Sequence, residues 1–365
     1  MVPLLDEICR LLKDGESVVL AMIFDHHGST PRTSGARMII RADGKIAGTI
    51  GGGLLEARVI ERAAFIFETG CSVVEHFALD AAAADSMDMI CGGNLSVLLE
   101  FIAADQGNRQ VFERWRDLTA AGGTGFVLTR LPCGRPPSQT SVKFIAEPGG
   151  ITFANTPAAA IDLPSLIETY RQLNKAAVIY HAGEKFHIEP VASRDNLILF
   201  GAGHVSQSVA RLACTVGFRI TVVDDRPEFA NRQRFGCADE ILVPEGFTQA
   251  FETLAVDRSS YIVIVTRGHV HDHTVLAQAL KTNAGYIGMI GSKRKRDAIY
   301  AALLAANCPR ADIERVHSPI GLEIKAETPE EIAVSIVAEL IAVRAELKNK
   351  RSAETGACGR MLRLA

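Results

Sequence analysis

A short glycine turn follows an apolar stretch in the second half of the sequence. Residues 197–200 indicate a buried strand, Gly201-Ala202-Gly203 follows, and residues 205–216 have helical spacing. In such a strand–turn–helix unit the first glycine permits the tight turn and the second lets a pyrophosphate approach the backbone. The helix N-terminus adds free N–H groups. We therefore expect a nucleotide phosphate beside Gly201, Gly203 and His204, with Ser206 as a small residue at the third glycine position.

An acidic residue stands where a ribose contact is expected. Asp224 lies 23 residues after Gly201, directly behind the apolar stretch 219–223. An acid at about this spacing binds the ribose hydroxyls of NAD, whereas an arginine nearby accommodates the 2′-phosphate of NADP. Asp224 is thus the predicted ribose contact, and Arg226 leaves NADP open. The alternative is a domain of this type that has lost its ligand.

A histidine-rich segment follows another predicted strand, 261–265. It runs from Thr266 to His273 and contains His269, His271 and Asp272. Because the carboxyl end of a parallel strand faces the ligand crevice, we expect His269 to lie in a ligand pocket. Two alternatives stay open: the histidines and the aspartate hold a metal or transfer protons, or Asp272 caps a helix.

Two glycine-rich stretches in the first half also predict an anion site. One follows a buried strand and the other precedes a helix. Glycines at a helix N-terminus let backbone N–H groups face an anion, and Arg37 could add charge. The alternative is that the stretches form two tight turns with exposed arginines and bind no ligand. The candidate residues are Gly28, Ser29, Thr30, Arg32, Gly51, Gly52, Gly53 and Glu56, the last in the first turn of the helix.

Cys91 is followed by Gly92 and Gly93, between a polar loop and an apolar strand. Accessible backbone N–H groups would favour the thiolate, which suits a sulfur carrier, a metal ligand or a redox thiol. Taken alone, an unreactive packing cysteine is the commoner case. The other seven cysteines are interpreted as packing or incidental residues. The absence of a C-x-x-C pair argues against a cysteine-based zinc site.

The elements before residue 155 predict an α+β domain. After residue 131 the chain becomes rich in Pro, Gly, Ser and Thr, which indicates an exposed connection. Asp43-Gly44 is a strong hairpin turn signal. The predicted helices are 4–13, 54–69 and 109–121, and the predicted strands are 17–24, 36–41, 45–48, 72–77, 95–101 and 125–131.

The elements after residue 196 alternate between strands and helices, which is typical of a doubly wound parallel sheet. The fold class is therefore α/β, with an N-terminal α+β domain and a Rossmann-type domain. We place the first domain at 1–155, a connecting segment at 156–195, the Rossmann-type domain at 196–347 and a frayed tail at 348–365. The connecting segment holds a predicted helix, 163–173, and strands at 177–180 and 186–191 whose domain is open.

The last predicted helix opens at Thr328-Pro329, with proline at the first helical position. It carries an apolar stripe through Ile332, Ile336, Leu340 and Val343. We expect the stripe to dock on its own domain, with a homodimer contact as the lesser alternative.

Composition excludes several classes. The chain has 365 residues, 48% hydrophobic and 22% charged, with a formal net charge of -3. These values are typical of a globular protein without a nucleic-acid surface. The one dense basic run, 293–296, predicts a solvated helix start or an anion contact. The N-terminus lacks a secretory signal and no apolar run reaches the length of a membrane span, so we expect a cytoplasmic protein that does not enter a membrane.

Taken together, these motifs resemble the XdhC/CoxI family, and the resemblance runs over nearly the whole chain. One departure is Lys325, where the family pattern after Gly321 would continue with glycine. The motifs are Gly28-Ser29-Thr30-Pro31-Arg32, Gly48-Thr49-Ile50-Gly51-Gly52-Gly53 with Glu56, Cys91-Gly92-Gly93, Phe200-Gly201-Ala202-Gly203-His204, Asp224-Asp225-Arg226-Pro227-Glu228-Phe229 and His317-Ser318-Pro319-Ile320-Gly321-Leu322.

The resemblance implies an accessory factor for molybdenum hydroxylases such as xanthine dehydrogenase. Such a protein would bind the molybdopterin form of molybdenum cofactor, present it to a cysteine desulfurase for sulfuration and pass it to the apo-enzyme. Cys91 matches the family's Cys-Gly-Gly motif, which implies a role in handling cofactor or sulfur.

Two other functions compete with this one. An NAD(P)-dependent oxidoreductase for a small substrate would use His204, His269 or His271 as a proton carrier. A nucleotide-sensing scaffold would keep Asp224 and the glycine turn. Neither has a use for Cys91 or the N-terminal glycines, so we favour the cofactor chaperone.

Overall fold

The computed structural model describes residues 2–28, 30, 32, 34–78, 93–132, 142–147, 150–155, 176–181, 183–191 and 194–359. The chain divides into two units, residues 1–193 with 358–365, and residues 194–357. Ser29, Cys91, Gly92 and the predicted helix 163–173 lie outside the described residues.

The first sheet of the N-terminal unit is antiparallel. Its strands are β1 (Val18–His27), β2 (Arg37–Arg41), β3 (Ile46–Gly48), β4 (Val73–Ala78) and β5 (Asn94–Ile102), in the order β3-β2-β1-β5-β4. Helix α2 (Gly53–Thr69) packs Leu55 and Val59 onto Val19 and Ala21 of the sheet. Gly70 ends the helix in the left-handed conformation, which glycine adopts without strain. The hairpin at Asp43-Gly44 and the helix over residues 54–69 are both as predicted.

A second antiparallel sheet follows, and the sequence patterns miss part of it. Its strands are β6 (Phe126–Arg130), β7 (Lys143–Glu147), β8 (Gly150–Ala154), β9 (Ala177–His181) and β10 (Glu184–Pro190), in the order β8-β7-β6-β10-β9. Strands β7 and β8 replace the exposed connection that the composition predicts. Residues 177–190, assigned to a connecting segment, belong to this sheet. Short strands beside Pro- and Gly-rich stretches carry too little periodicity to stand out.

The core of this unit joins both sheets to two helices. Helix α1 (Val2–Lys13) and helix α3 (Gln106–Ala121) pack against Leu20 of the first sheet and against Val127 and Ile145 of the second. Helix α3 begins three residues before its predicted start because the Asp105 carboxylate caps it. This carboxylate accepts a hydrogen bond from the Asn108 N–H at 2.8 Å.

The second unit contains a six-stranded parallel sheet. Its strands are β11 (Asn196–Phe200), β12 (Arg219–Val223), β13 (Glu240–Leu242), β14 (Ser260–Ile264), β15 (Tyr286–Met289) and β16 (Val316–His317). Their order is β13-β12-β11-β14-β15-β16, which is the 3-2-1-4-5-6 order of a Rossmann fold. The strand order therefore reverses between β11 and β14, where ligands bind in such sheets. The predicted doubly wound sheet is confirmed.

Helices cover both faces of this sheet. Helix α4 (His204–Thr215) and helix α8 (Pro329–Gly359) pack on the face that contains Leu197 and Leu199. Helix α5 (His269–Ala279) and helix α6 (Lys293–Ala305) pack on the face that contains Ile198 and Phe200. A short helix, α7 (Arg310–Glu314), precedes β16.

Helix α8 differs from its predicted extent. It continues through Gly359, so the segment 348–359, expected to be frayed, is helical; residues 360–365 are outside the described part. Its apolar stripe docks on the core of its own unit through Ile336 and Leu340, both completely buried. No helix among the described residues is both long and apolar enough to cross a membrane.

Candidate functional site

The glycine turn lies where the strand order reverses. Gly201 has φ +106°, and a Cβ there would collide with the Val265 carbonyl oxygen. Only glycine therefore fits this position. The buried Ser206 hydroxyl donates to the Gly201 carbonyl, which ties helix α4 to the turn.

Gly203 precedes helix α4 without a side-chain cap, and a Cβ on it would meet no atom within 4 Å. The start of α4 therefore has no side-chain cap and has open space beside Gly203, as a phosphate site requires.

Asp224 directly follows β12 and is 1% exposed. Its carboxylate accepts hydrogen bonds from the Ala202 N–H at 2.7 Å and from the Arg226 guanidinium at 2.9 Å. Burial alone would raise the pKa of this carboxyl, but these bonds outweigh it and lower the pKa. In this structure Asp224 holds the glycine turn and neutralises Arg226. Its predicted ribose contact and the predicted 2′-phosphate contact of Arg226 stay predictions.

A second ion pair stands beside the first. The Arg267 guanidinium donates to both oxygens of Asp225, at 2.6 and 2.8 Å. Asp225 follows β12 and Arg267 follows β14, and both strands are hydrogen-bonded to β11. The pair therefore joins the two loops that flank the glycine turn. The sequence patterns do not reveal this pair, since the partners are 42 residues apart.

The histidine-rich segment opens helix α5 at His269, and Gly268 is its N-cap. Asp272 is not the cap residue that one alternative predicts. Its buried carboxylate accepts from the Thr266 N–H at 3.2 Å and hydroxyl at 2.6 Å, and pairs with Lys295. In the described part of the chain no group of three or more His, Cys, Asp and Glu side chains could hold a metal ion.

His269 lines a groove of about 920 Å³ between α5 and α6, together with His273, Arg294 and Lys295. The volume is within the range of small-molecule sites. The basic run 293–296 begins helix α6, as predicted. Two of its members, Arg294 and Lys295, also line this groove. His204 lies exposed at the first position of α4. The ligand roles of His204 and His269 stay predictions.

The second N-terminal glycine stretch already holds an anion from its own chain. One Glu56 carboxylate oxygen accepts from the Thr49 hydroxyl at 2.5 Å and from the Ile50 and Gly52 N–H groups at 2.9 Å each. Burial raises the pKa of Glu56, but the hydrogen bonds from Thr49, Gly52 and Ile50 lower it overall. Of the N–H groups expected to face a ligand, that of Gly52 is thus satisfied by Glu56, and that of Gly51 donates to the Thr49 hydroxyl at 3.1 Å. Gly51 and Gly53 also have positive φ angles, of 135° and 59°.

The first stretch is described only in part. Gly28 follows β1 with φ +75°, and the Thr30 hydroxyl donates to the carbonyl of the exposed Arg32 at 2.9 Å. Arg37 does not add charge to an anion site as expected, because it is buried and paired with Glu189 of β10. Since Cys91 and Gly92 lie outside the described residues, the role inferred for them stays a prediction.

One further cluster is missed by the sequence patterns. Glu339 of α8 pairs with His317 Nδ1 and accepts the Gly321 N–H through its other oxygen. Burial, together with the charge of Glu339, raises the pKa of the Tyr286 phenol well above its usual value. The cluster anchors α8 to the end of β16. Only the motif around His317 marks this region in the sequence.

Taken together, the strand order and the glycine turn define a two-unit α/β protein whose second unit has a Rossmann fold. Two family models match the sequence: "XdhC Rossmann domain" over residues 197–340, and "XdhC and CoxI family" over residues 11–78. The chain belongs to the XdhC/CoxI family.

Known relatives agree with this assignment. The chain is 29% identical to a probable xanthine dehydrogenase subunit of Bacillus subtilis, over 92% of this chain and 95% of that one. It is 22% identical to the "Molybdenum cofactor insertion chaperone PaoD" of Escherichia coli, over 91% of this chain and 85% of that one. A crystal structure of a xanthine dehydrogenase from Bacillus halodurans is similar with a TM-score of 0.74 and 25% identity, over 93% of this chain and 95% of that one.

Proposed function

We propose that this protein binds molybdenum cofactor and acts in the maturation of a molybdenum hydroxylase such as xanthine dehydrogenase. The observation that carries the proposal is the similarity to a molybdenum cofactor insertion chaperone, which spans 91% of the chain and therefore both units. The family models match segments in both units, so we assign the proposed function to both units and not to the Rossmann domain alone.

The Rossmann crevice is chemically suited to the phosphate end of such a cofactor. Helix α4 begins after Gly203 without a side-chain cap, so its first N–H groups can donate to phosphate oxygens. The open space beside Gly203 lets a phosphate approach the backbone. The ligand of this crevice is in our proposal the nucleotide or phosphate part of the pterin cofactor, with NAD(P) as the competing occupant.

The finer steps concern sulfur and delivery. We propose that Cys91 would take part in handling the cofactor or its sulfur, and that a cysteine desulfurase would supply the sulfur atom of the mature cofactor. The sulfurated cofactor then passes to the apo-hydroxylase. A cysteine followed by two glycines suits such chemistry, because accessible backbone N–H groups favour the reactive thiolate.

The test is purification after co-expression with the molybdenum cofactor biosynthesis genes, followed by assay of bound pterin. Wild type is expected to copurify with pterin, and Cys91→Ala to carry less of it or to lose the sulfurated form. Cys71→Ala is the matched control, since Cys71 is a partly exposed free cysteine of the same unit. Pterin-free wild-type protein would overturn the proposal.

A nicotinamide-dependent oxidoreductase is the second candidate. The observation in its favour is the Rossmann strand order, with His204 and His269 exposed at the carboxyl edge of the sheet. Consumption of NADH or NADPH with a carbonyl substrate, in protein that copurifies with no pterin, would establish this function instead.

A further inference from the structure

The crevice holds more charge than the glycine turn and Asp224 account for. Two aspartates and two arginines surround the turn: Asp224 with Arg226, and Asp225 with Arg267. Asp225 also lies 3.9 Å from the Arg226 guanidinium, so it stands between two cations. The four charges cancel. A phosphate that approaches Arg226 and Arg267 therefore meets two arginines that already have carboxylate partners, whereas Arg234 donates to the Ala202 carbonyl of the turn at 3.3 Å.

The Asp225 to Arg267 pair spans the turn. Strands β12 and β14 flank β11 on either side. Because neighbouring strands lie about 4.8 Å apart, the two loops start roughly 10 Å from each other. Asp225 stands two residues beyond β12, and Arg267 three residues beyond β14. Only a long side chain can bridge this distance.

The loop after β14 also contacts the turn directly, since Val265 and Thr266 limit the space at Gly201. Arg267 is the next residue along this loop, so its backbone is held beside the turn.

Asp225 and Arg267 differ in solvent exposure. The Asp225 side chain is 13% exposed, whereas the Arg267 side chain is 40% exposed. The arginine is therefore the partner that can turn toward a ligand while the aspartate stays in place. A guanidinium donates in the same two-pronged way to a phosphate as to a carboxylate, so a phosphate can replace Asp225 as its partner.

We propose that Arg267 is a phosphate-binding residue of the crevice and that Asp225 is a built-in competing anion that holds Arg267 in the ligand-free protein. The ligand class is a phosphate or pyrophosphate ester whose phosphate lies over the Gly201-Ala202-Gly203 turn. The inference rests on the proposed occupation of the crevice by a phosphate-bearing ligand, and it adds the residue that recognises the phosphate and the residue that competes with it.

The distinctive consequence is that removing a charge strengthens binding. Asp225→Asn frees the guanidinium of its competitor, and we expect about fivefold tighter binding of ADP-ribose, measured by isothermal titration calorimetry. Arg267→Gln removes the phosphate donor, and we expect about tenfold weaker binding. Adenosine, which has no phosphate, should respond to neither change.

The double variant separates direct competition from a general charge effect. In the Arg267→Gln background, Asp225→Asn is expected to have little further effect on ADP-ribose binding, because Arg226, the other cation near Asp225, lies 3.9 Å from it and is already paired with Asp224 at 2.9 Å. Asp297→Asn is the matched control. It makes the same change of charge at an exposed aspartate paired with Arg296 on α6, and it should leave the affinity unchanged.

The outcomes are distinct from those of the cofactor proposal. If Asp225→Asn binds ADP-ribose no more tightly than wild type, or if neither protein binds it, the inference is overturned. Equal gains from Asp225→Asn and Asp297→Asn would also overturn it, because the effect would then be one of net charge. Pterin that copurifies with wild-type protein is measured in a separate assay. The proposed chaperone function can therefore be correct even if the proposed role of Arg267 and Asp225 is wrong.

Discussion

Glu56 shows how a single carboxylate can take the place expected for a ligand. It satisfies two backbone N–H groups and one hydroxyl in the loop before α2, and this loop is the glycine stretch that the sequence marks as an anion site. Glycine-rich turns that collect N–H groups stabilise negative charge whether it comes from a ligand or from the chain. Here the chain supplies it. Ligand contacts in this region would fall to the remaining glycines and to Arg32.

Replacement of Glu56 by Gln is expected to destabilise the N-terminal unit by about 1–3 kcal/mol, since the amide loses the charge and one acceptor position. The pKa of Glu56 is lowered in the folded protein. Its contribution is therefore complete above the unfolded-state pKa and is lost as pH falls through the folded-state value. Urea unfolding followed by Trp115 fluorescence measures it. Glu68→Gln, exposed on the same helix, is the control and should change little. Equal effects of the two changes would contradict the role assigned to Glu56.

Buried His187 is expected to make the stability of the protein depend on pH. It is completely buried on β10, and both ring nitrogens are without hydrogen-bond partners among the described residues. Burial lowers its pKa from 6.5 to about 4; Glu189 opposes this shift, and Arg37 and Lys143 add to it. Between these two values the unfolded chain binds the proton more readily than the folded one, so stability falls as the pH falls through this range.

From pH 7 to pH 5 the His187 contribution to the free energy of unfolding should fall by about 2 kcal/mol. His187→Leu removes this dependence because leucine does not titrate. The comparison is urea unfolding of both proteins at the two pH values. An unchanged pH slope in the variant would show that His187 is not the group responsible.

Lys325 adopts a backbone conformation that suits glycine. Its φ is +58°, in the left-handed region, and this is the position at which the family pattern would have glycine. The lysine therefore carries the strain of a left-handed backbone. We expect Lys325→Gly to stabilise the protein by about 1 kcal/mol, measured as a rise in Tm. Glu323→Gly in the same loop, where φ is not positive, should not stabilise it.

At the scale of elements, the glycine turn depends on contact between two loops. Gly201→Ala would place a Cβ against the Val265 carbonyl in a left-handed backbone. We expect this change to cost about 2 kcal/mol of stability or more. A Cβ at Gly203 meets no atom within 4 Å. Gly203→Ala should therefore change stability by no more than about 0.5 kcal/mol, while hindering a phosphate.

Thermal unfolding and ADP-ribose titration of the two variants separate the structural glycine from the ligand-facing one. Equal destabilisation by Gly201→Ala and Gly203→Ala would refute this division.

Elements differ in how far the sequence predicts them. Helix α2, the β2 to β3 hairpin and the first five Rossmann strands agree with the prediction, whereas β16, a strand of two residues, is not predicted. Strands β7 and β8 escape prediction because they are short and lie beside breaker-rich segments. Helix α8 extends past its predicted end, since its later residues lack the apolar stripe that marks its first turns.

At the scale of the whole molecule, each unit has its own hydrophobic core. The Rossmann unit is closed on both faces of its sheet by its own helices, α4 and α8 on one side and α5 and α6 on the other. We therefore expect residues 194–357 to fold as an isolated fragment. Circular dichroism of the fragment should show helix and a cooperative thermal transition. A fragment without cooperative melting would contradict the independence of this core.

The family assignment follows from motifs spread over nearly the whole sequence. The Rossmann fold follows from local order: an apolar strand, the Gly201 turn, a helix, and Asp224 after the next strand. Each is readable within about 25 residues. The charge pairing is decided only by tertiary structure. Arg37 meets Glu189 from 152 residues away, and Arg267 meets Asp225 from 42 residues away. Strand order, not sequence spacing, brings these side chains together, so an arginine expected to bind an anion is already paired.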